Sequence, residues 1–374
     1  MITRKFSKLV AAATAAGALF TAGAHAADLD YGKPGEPVKL VIGYQPYYTE
    51  SWSGLVMRGK KFYEKYLPKG STVEFQIGLQ GAIIVNNMLA GKQHIGYMGD
   101  MPAIVSTTKT ETADIRLVAT LGLGFDQCNI FLARTDAPKF ADANAAIKWL
   151  DGKTVAVPKG SCTDRFAQAT FQKSNIKPKE YLNQNIEVIT SNFRAGKIDS
   201  AVIWEPTASR LVQEGLARRI ATGVNNQERD GGFLAMRADL IKARPDVVKA
   251  WLNAELDAQL LLADEKNAPE VIKIAKEQTT GFNDRVLFYS LYGSYGADAG
   301  GSPTRINLHY TFTPEARELI TKATTFLHSI KTINVDKLRP EAVMPEFTQQ
   351  ILAERKLTAP IGDVSALPDA QAPK

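Results

Sequence analysis

Two phrases in the chain end on the same chemistry. Ala90–Pro102 reads AGKQHIGYMGDMP and Ala195–Pro206 reads AGKIDSAVIWEP. Each runs from Ala-Gly-Lys through a short apolar stretch to a carboxylate, Asp100 or Glu205, with a proline just beyond. A carboxylate in that place either caps the helix that follows or faces a ligand beyond the carboxyl end of the strand. Other candidate strand ends carry similar groups: GYQPYYTESW from Gly43, GLQGA from Gly78, PKGSCTDR from Pro158 and IWEP from Ile203. Their amides, hydroxyls and carboxylates can hydrogen-bond a small solute. Tyr44, Tyr47, Tyr48, Trp52, Tyr97 and Trp204 either wall a cleft or pack in a core. Helix starts at Gly81 and at Cys162–Thr163 would offer N–H groups to an anion.

Nothing in the chain is spaced for covalent or metal chemistry. His94, His309 and His328 form no HExxH pattern, and His25 lies in a leader described below. Two cysteines far apart make no CxxC pair. There is no G-x-x-x-x-G-K-[ST] and no G-x-S-x-G. GLGFDQ at Gly122 lacks the third glycine of a dinucleotide fingerprint and precedes a strand, so it reads as a hinge turn. The expectation is a binder without cofactor or metal, not an enzyme.

The strand ends need a scaffold, and the apolar patterning supplies one. VKLVIGY, TVEFQIG, HIGYMG and IRLVATLG read as strands. GLVMRGKKFYEKYL, AIIVNNMLAGK (stopping at Gly91) and PAIVSTTK (opened by Pro102) read as the helices between them. The alternation then restarts. CNIFLAR, KTVAVPKG, IEVIT, SAVIW and RRIATG read as strands, with ANAAIKWL, TDRFAQATFQKSN and PTASRLVQEG as helices. After about Val224 the pattern is mainly helical, and the tail after Thr358 reads as loose. Two α/β sets, each with a mostly parallel sheet, imply two lobes. Turn residues at Leu123–Cys128 and Gly223–Gly232 mark two crossovers. The outer lobe is expected over 27–125 and 223–374, with appended C-terminal helices, and the inner lobe over 126–222.

The bulk numbers fit this picture. The chain has 374 residues, 45% hydrophobic and 22% charged, enough for about two domains. Residues 1–26 read as a signal peptide. A basic start holds Arg4, Lys5 and Lys8, a small-residue apolar core follows, and an A-x-A site at Ala24–Ala26 ends it. Cleavage after Ala26 would deliver the protein to the periplasm, and loss of those three cations takes the formal charge from +6 to +3. No Lys/Arg block suggests nucleic acid, and a monomer is expected. Cys128 and Cys162 either pair, contributing about 3 to 4 kcal/mol by closing their loop, or stay separate buried thiols. Their Cα separation decides.

IGYQP, LQGAIIVNNMLAGKQHIGYMGDMP, GKTVAVPKGSCTDRF, AGKIDSAVIWEP and RPDVVKAW, in that order, resemble the solute-binding components of ABC importers of the nitrate, sulfonate and taurine type. Relatives of that group bind pyrimidine precursors of thiamin. The resemblance covers about Val38 to Leu262, and Asn283–Tyr310 matches no part of it. It implies a type II periplasmic binding fold whose two lobes close on a ligand by a hinge motion. The closed form would deliver that ligand to an ABC permease in the inner membrane. Carried over position by position, the pocket would use Gln45, Tyr47, Gln80, Gly81, Gly99, Asp100, Ser161, Cys162, Thr163, Trp204 and Glu205.

Two features depart from the family. The full helix usual between IEVIT and AGKIDS is reduced here to SNFR, and the Cys in GSCTDR replaces another small or polar residue. Asp100, Asp126, Asp164 and Glu205 also make the cleft read as acidic against Lys159 and Arg165. A ligand with a positive or N–H group is then expected beside the oxyanion class: taurine would satisfy both charges, and a pyrimidine would suit the aromatics. The reading from another class is an enzyme on this fold resembling the thiamin pyrimidine synthases, whose Cys-rich iron motif this chain lacks.

Overall fold

The structure is a computed structural model that describes residues 29–374. The expected signal peptide and its cleavage site lie outside the described residues. Twelve strands are present among them: β1 Lys39–Tyr44, β2 Thr72–Ile77, β3 Ile95–Gly99, β4 Ile115–Gly124, β5 Ile130–Arg134, β6 Thr154–Val157, β7 Glu180–Asn183, β8 Ser200–Ile203, β9 Ala217–Thr222, β10 Asp230–Arg237, β11 Thr304–Leu308 and β12 Gly362–Ser365. They form two sheets. One has the order β12-β11-β4-β10-β3-β1-β2 and the other β7-β6-β8-β5-β9. The first draws on both ends of the chain and the second on its middle.

Each sheet is mixed rather than mostly parallel. β1 runs parallel to β2 and β3, but β10 is antiparallel to both β3 and β4. β6 runs parallel to β7 and β8, while β5 is antiparallel to β8 and β9. β3, β8 and β10 are buried along their whole length, as strands covered by helices on both faces must be. Trp52, Trp251 and Tyr97 pack on one face of the larger sheet, and Ile84, Met101 and Leu319 on the other. The carboxyl ends of β1 and β3 in one lobe and of β6 and β8 in the other carry the cleft residues.

Several expectations are corrected. IEVIT is not a strand: it opens the helix Ile186–Arg194, and the strand is β7. The Asn185 side chain accepts from Val188 N at 2.9 Å and caps that helix, while Ile186, Ile189 and Phe193 share its buried face. The helix usual in the family is therefore present. Its β-branched residues imitate a strand over five positions, and the cap decides otherwise. The region after Val224 is mainly helical, as expected, but it also holds β10, β11 and β12, which the pattern did not show. Gly231 and Gly232, which read as turn residues, are interior to β10. A Cβ on Gly231 would sit 2.4 Å from Leu123 Cδ2, so glycine serves close strand approach. The tail is not loose, since Gly362–Ser365 pairs with β11. The helix expected over Gly54–Leu67 breaks at Lys61 (φ 53°), dividing into Trp52–Lys60 and a 3₁₀ turn at Phe62–Lys65.

The chain passes between lobes at residues 125–129 and again at 223–229. Asp230 joins the two passages: its Oδ2 accepts from Cys128 N and from Asn129 N, the latter at 2.7 Å. Burial pushes the Asp230 carboxyl up to about 6. Its neighbour Glu50 is pushed well above its ordinary range by burial and by the Asp230 charge.

Glu255, on the helix Pro245–Ala263, is fully buried in the larger lobe. Tyr97 Oη donates to its Oε2 at 2.8 Å and Gln259 Nε2 to its Oε1 at 2.9 Å. Burial still raises its pKa to about 7. The folded value lies above the unfolded one of about 4.3, so the folded state binds the extra proton. Its destabilising contribution is absent below pH about 4 and grows as pH rises to about 7, reaching about 3 to 4 kcal/mol. Urea unfolding of Glu255→Gln and the parent at pH 5 and pH 8 checks this. The variant should gain stability relative to the parent at the higher pH; a difference that does not change with pH contradicts it.

Candidate functional site

A cavity of about 390 Å³ lies between the lobes. From the larger lobe, Gln45 and Tyr48 line it after β1, and Gly99, Pro102 and Val105 line it after β3. Gln80, Gly81, Val85 and Asn86 contribute from the helix Gly81–Leu89 and its N-cap. The smaller lobe supplies Pro158, Lys159, Gly160, Ser161 and Cys162 after β6 and Trp204 after β8. Seven expected residues are on this wall: Gln45, Gln80, Gly81, Gly99, Ser161, Cys162 and Trp204. Tyr47 lines a second cavity, of about 460 Å³, on the other side of Trp204 and Gln80. Thr163 sits behind the wall, its Oγ1 2.6 Å from Ser161 Oγ.

Sequence reasoning missed Val85, Asn86, Val105 and Thr332 as lining residues. The first two were within reach, one turn along the helix from Gly81. Thr332 comes from the far end of the chain and carried no signal. Lys159 was counted as a charge near the cleft and is the one charged side chain on this wall.

Three helices begin at the cavity: Gly81–Leu89, Asp100–Thr107 and Cys162–Ser174. None has a side-chain cap. Elsewhere the helices starting at Ala143, Ile186, Asp284 and Pro314 are capped by Asp142, Asn185, Asn283 and Thr313, while those starting at Trp52, Thr207, Pro245, Ala268 and Glu346 also lack a side-chain cap. Asp100 Oδ1 takes the Met101 N–H at 2.7 Å, so the open starts are Gly81 and Cys162. A Cβ on Gly81 would lie 2.3 Å from Pro102 Cγ, so only glycine lets this start pack against Pro102. The Gln45 amide oxygen is buried there without a partner. The amide can present either end to a ligand.

The acidic reading of the cleft is corrected. Asp100 and Glu205 are fully buried and absent from the wall. Asp100 Oδ2 accepts from Arg165 Nη2 at 3.2 Å across the lobes; burial pushes its carboxyl up against the pull of that arginine. Glu205 Oε1 accepts from Arg219 Nη1 at 2.9 Å and lies 3.9 Å from Arg305 Nη2. Ser209 N donates to Glu205 Oε2 at 2.8 Å. Asp126 binds both arginines, at 3.2 Å to Arg219 and more closely to Arg305. Tyr295 lies under the Arg219 guanidinium, 3.9 Å from ring centroid to Cζ. Asp164 accepts from Gly160 N at 2.8 Å and Tyr181 Oη at 2.6 Å. An unpaired buried carboxylate is too costly to face a cavity empty-handed, so each of the four is satisfied within the protein. Both repeated phrases thus end on a buried carboxylate paired with an arginine.

The lobes are in contact across the cleft. Trp204 Nε1 donates to Tyr47 O at 3.1 Å, beside the Asp100–Arg165 pair. Cys128 and Cys162 form a disulfide with Cα atoms 6.2 Å apart, which resolves the open alternative. It ties the first passage between lobes to the open start of the helix Cys162–Ser174. No group of three or more His, Cys, Asp or Glu able to hold a metal occurs among the described residues.

Two α/β lobes, two passages between them and a cleft at the strand ends define the type II periplasmic binding fold, the fold of solute-binding proteins. The chain belongs to the NMT1-like family, which matches residues 33–276. It is similar to the taurine-binding periplasmic protein of Escherichia coli (strain K12), 26% identical over 233 residues. That match covers 60% of this chain and 66% of the relative, just under two thirds of its length. Among solved structures it is similar to the alkanesulfonate-binding protein of Xanthomonas axonopodis pv. citri bound to MOPS. The TM-score is 0.62 at 19% identity, covering 82% of this chain and 98% of that one. A desulfurization enzyme, DSZB, shares the fold with a TM-score of 0.60 at 14% identity, over 85% and 99% of the two chains.

The buried network makes a prediction. Glu205→Ala leaves Arg219 and Arg305 sharing Asp126 alone, and should cost about 3 to 5 kcal/mol in urea unfolding. A loss below about 1 kcal/mol would mean that Glu205 is not needed to balance the arginines.

Proposed function

We propose that this protein is the extracytoplasmic binding component of an ABC importer, and that its ligand is a small organic anion with a compact apolar body. The observation that carries this is the charge of the cavity wall. Lys159 and the open helix starts at Gly81 and Cys162 favour an anion, and the lining residues include no carboxylate. Val85, Pro102, Val105 and Tyr48 suit an aliphatic or aryl body of a few carbons. The similarity to taurine- and alkanesulfonate-binding proteins supports a sulfonate as the acidic group.

In this reading the leader exports the chain to the periplasm, and 126–222 swings against 27–125 with 223–374. A head group touching Gly81 on one lobe and Ser161–Cys162 on the other favours the closed form over the open one. The closed form then docks on a membrane permease. The wall supports capture rather than turnover: it holds no histidine, and its one sulfur is tied in a disulfide. A second reading, a heteroaromatic solute such as a pyrimidine, is favoured by Tyr48 and Trp204 beside the amides of Gln45, Gln80 and Asn86.

Titration calorimetry with propanesulfonate, taurine, nitrate and an aminopyrimidine separates these. Propanesulfonate should bind tightest. Taurine, of similar size, should bind more weakly because the wall offers its ammonium no acid. Gly81→Ala, whose Cβ meets Pro102 and shifts the helix start, should weaken propanesulfonate by about tenfold. Taurine binding as tightly as propanesulfonate would contradict the charge assignment, and a preference for the aminopyrimidine would favour the second reading.

A further inference from the structure

The wall of the second cavity carries an arginine that forms no ion pair within 4 Å among the described residues. Among the described residues, the five most buried arginines (Arg165, Arg219, Arg237, Arg244 and Arg305) each hold a carboxylate within 4 Å. Arg210 is half-buried on the wall of the second cavity and forms no such pair. Its Nε is buried with no hydrogen-bond partner. Its Nη2 reaches Thr190 Oγ1 only at 3.5 Å, and its guanidinium lies over the Phe282 ring, 4.8 Å from the centroid. The acid one turn along the same helix, Glu214, is spent on Arg194 at 2.7 Å. Glu187 lines the cavity from the exposed side. A guanidinium partly stripped of water, on a cavity wall and with no carboxylate within 4 Å, is a site for an anion. Burial lowers the Arg210 pKa from its ordinary value, against the pull of the Glu214 and Glu187 charges.

The two cavities share Gln80 and Trp204 as a common wall. The indole is held by its hydrogen bond to Tyr47 O. Tyr47 and Phe282 give the second cavity apolar sides, and Thr207 a hydroxyl. We propose that this cavity is an anion-binding compartment centred on Arg210, and that it takes the distal carboxylate of a bifunctional acid whose first acidic group occupies the cavity at Gly81 and Cys162. This rests on the reading of the first cavity as an anion site and extends it: the preferred ligand class becomes a sulfonate, or similar acid, with a carboxylate at the other end of a short chain.

The test compares two ligand series by titration calorimetry on the mature protein. One is ω-carboxyalkanesulfonates with spacers from ethylene to hexamethylene; the other is alkanesulfonates of matching length. At one spacer length the carboxylate should improve affinity by about tenfold, one charge-assisted hydrogen bond. Arg210→Gln should bring that ratio to about one, and Arg210→Lys, which keeps the charge and loses the fork, should keep part of it. A parent that gains nothing from the carboxylate at any length overturns the inference while leaving the first cavity's assignment intact. So does an Arg210→Gln variant that keeps the gain. A parent that binds neither series overturns both.

Discussion

Two arginines and two carboxylates with almost no access to water join the parts of this molecule. Asp126 stands in the first passage between lobes, Arg219 and Glu205 in the smaller lobe, and Arg305 on β11 of the larger sheet. The charges balance, and none of the four can recover hydration without opening the structure. Buried pairs of this kind repay little more than their desolvation, so the network specifies one arrangement rather than adding much stability. Its consequence for the cleft is indirect. Once Asp126 and Glu205 are committed to arginines, and Asp100 to Arg165, no acid remains to face a ligand. The charged residue lining the cavity is then Lys159, whose ammonium lies over the Tyr181 ring.

The same economy governs the passages. Asp230 accepts the N–H groups of Cys128 and Asn129, which a chain leaving one sheet for another would otherwise bury unpaired. The disulfide carries that anchoring from Cys128 to Cys162 at the cavity. The first passage is thus pinned at one end, and the disulfide links it to the start of the helix Cys162–Ser174. In the proposed function, closing the cleft and building the anion site draw on one set of contacts.

Much of this was legible in the sequence, because it depends on local pattern. Strand ends, helix starts and both passages follow from periodicity, Gly91-type stops and Pro102. Gly81 and Cys162 were readable as helix N-termini for the same reason. What was not legible depends on distant partners. Asp100 and Glu205 occupy the positions expected of ligand contacts, and only the arrival of Arg165, Arg219 and Arg305 makes them structural. One of the two partners of Asp126, Arg305, comes from Asn283–Tyr310, the stretch that matched no family pattern. β10 was hidden by Gly231 and Gly232, whose lack of side chains serves close packing rather than a turn. IEVIT was hidden because β-branched residues fit either element and one capping asparagine decides. Pairing of Cys128 with Cys162 needed a Cα separation that no spacing supplies.

The central claim is that the wall between Gly81 and Cys162 selects an anion, and placement of the ligand tests it most directly. A crystal of the protein with 3-bromopropanesulfonate would show the bromine by its anomalous signal and the sulfonate by its density. The account predicts the sulfonate against the N–H groups at Gly81 and Cys162, near Lys159, with the bromine among Val85, Pro102 and Val105. A sulfonate bound elsewhere, or the bromine at the helix starts with the sulfonate turned toward the apolar side, would contradict it.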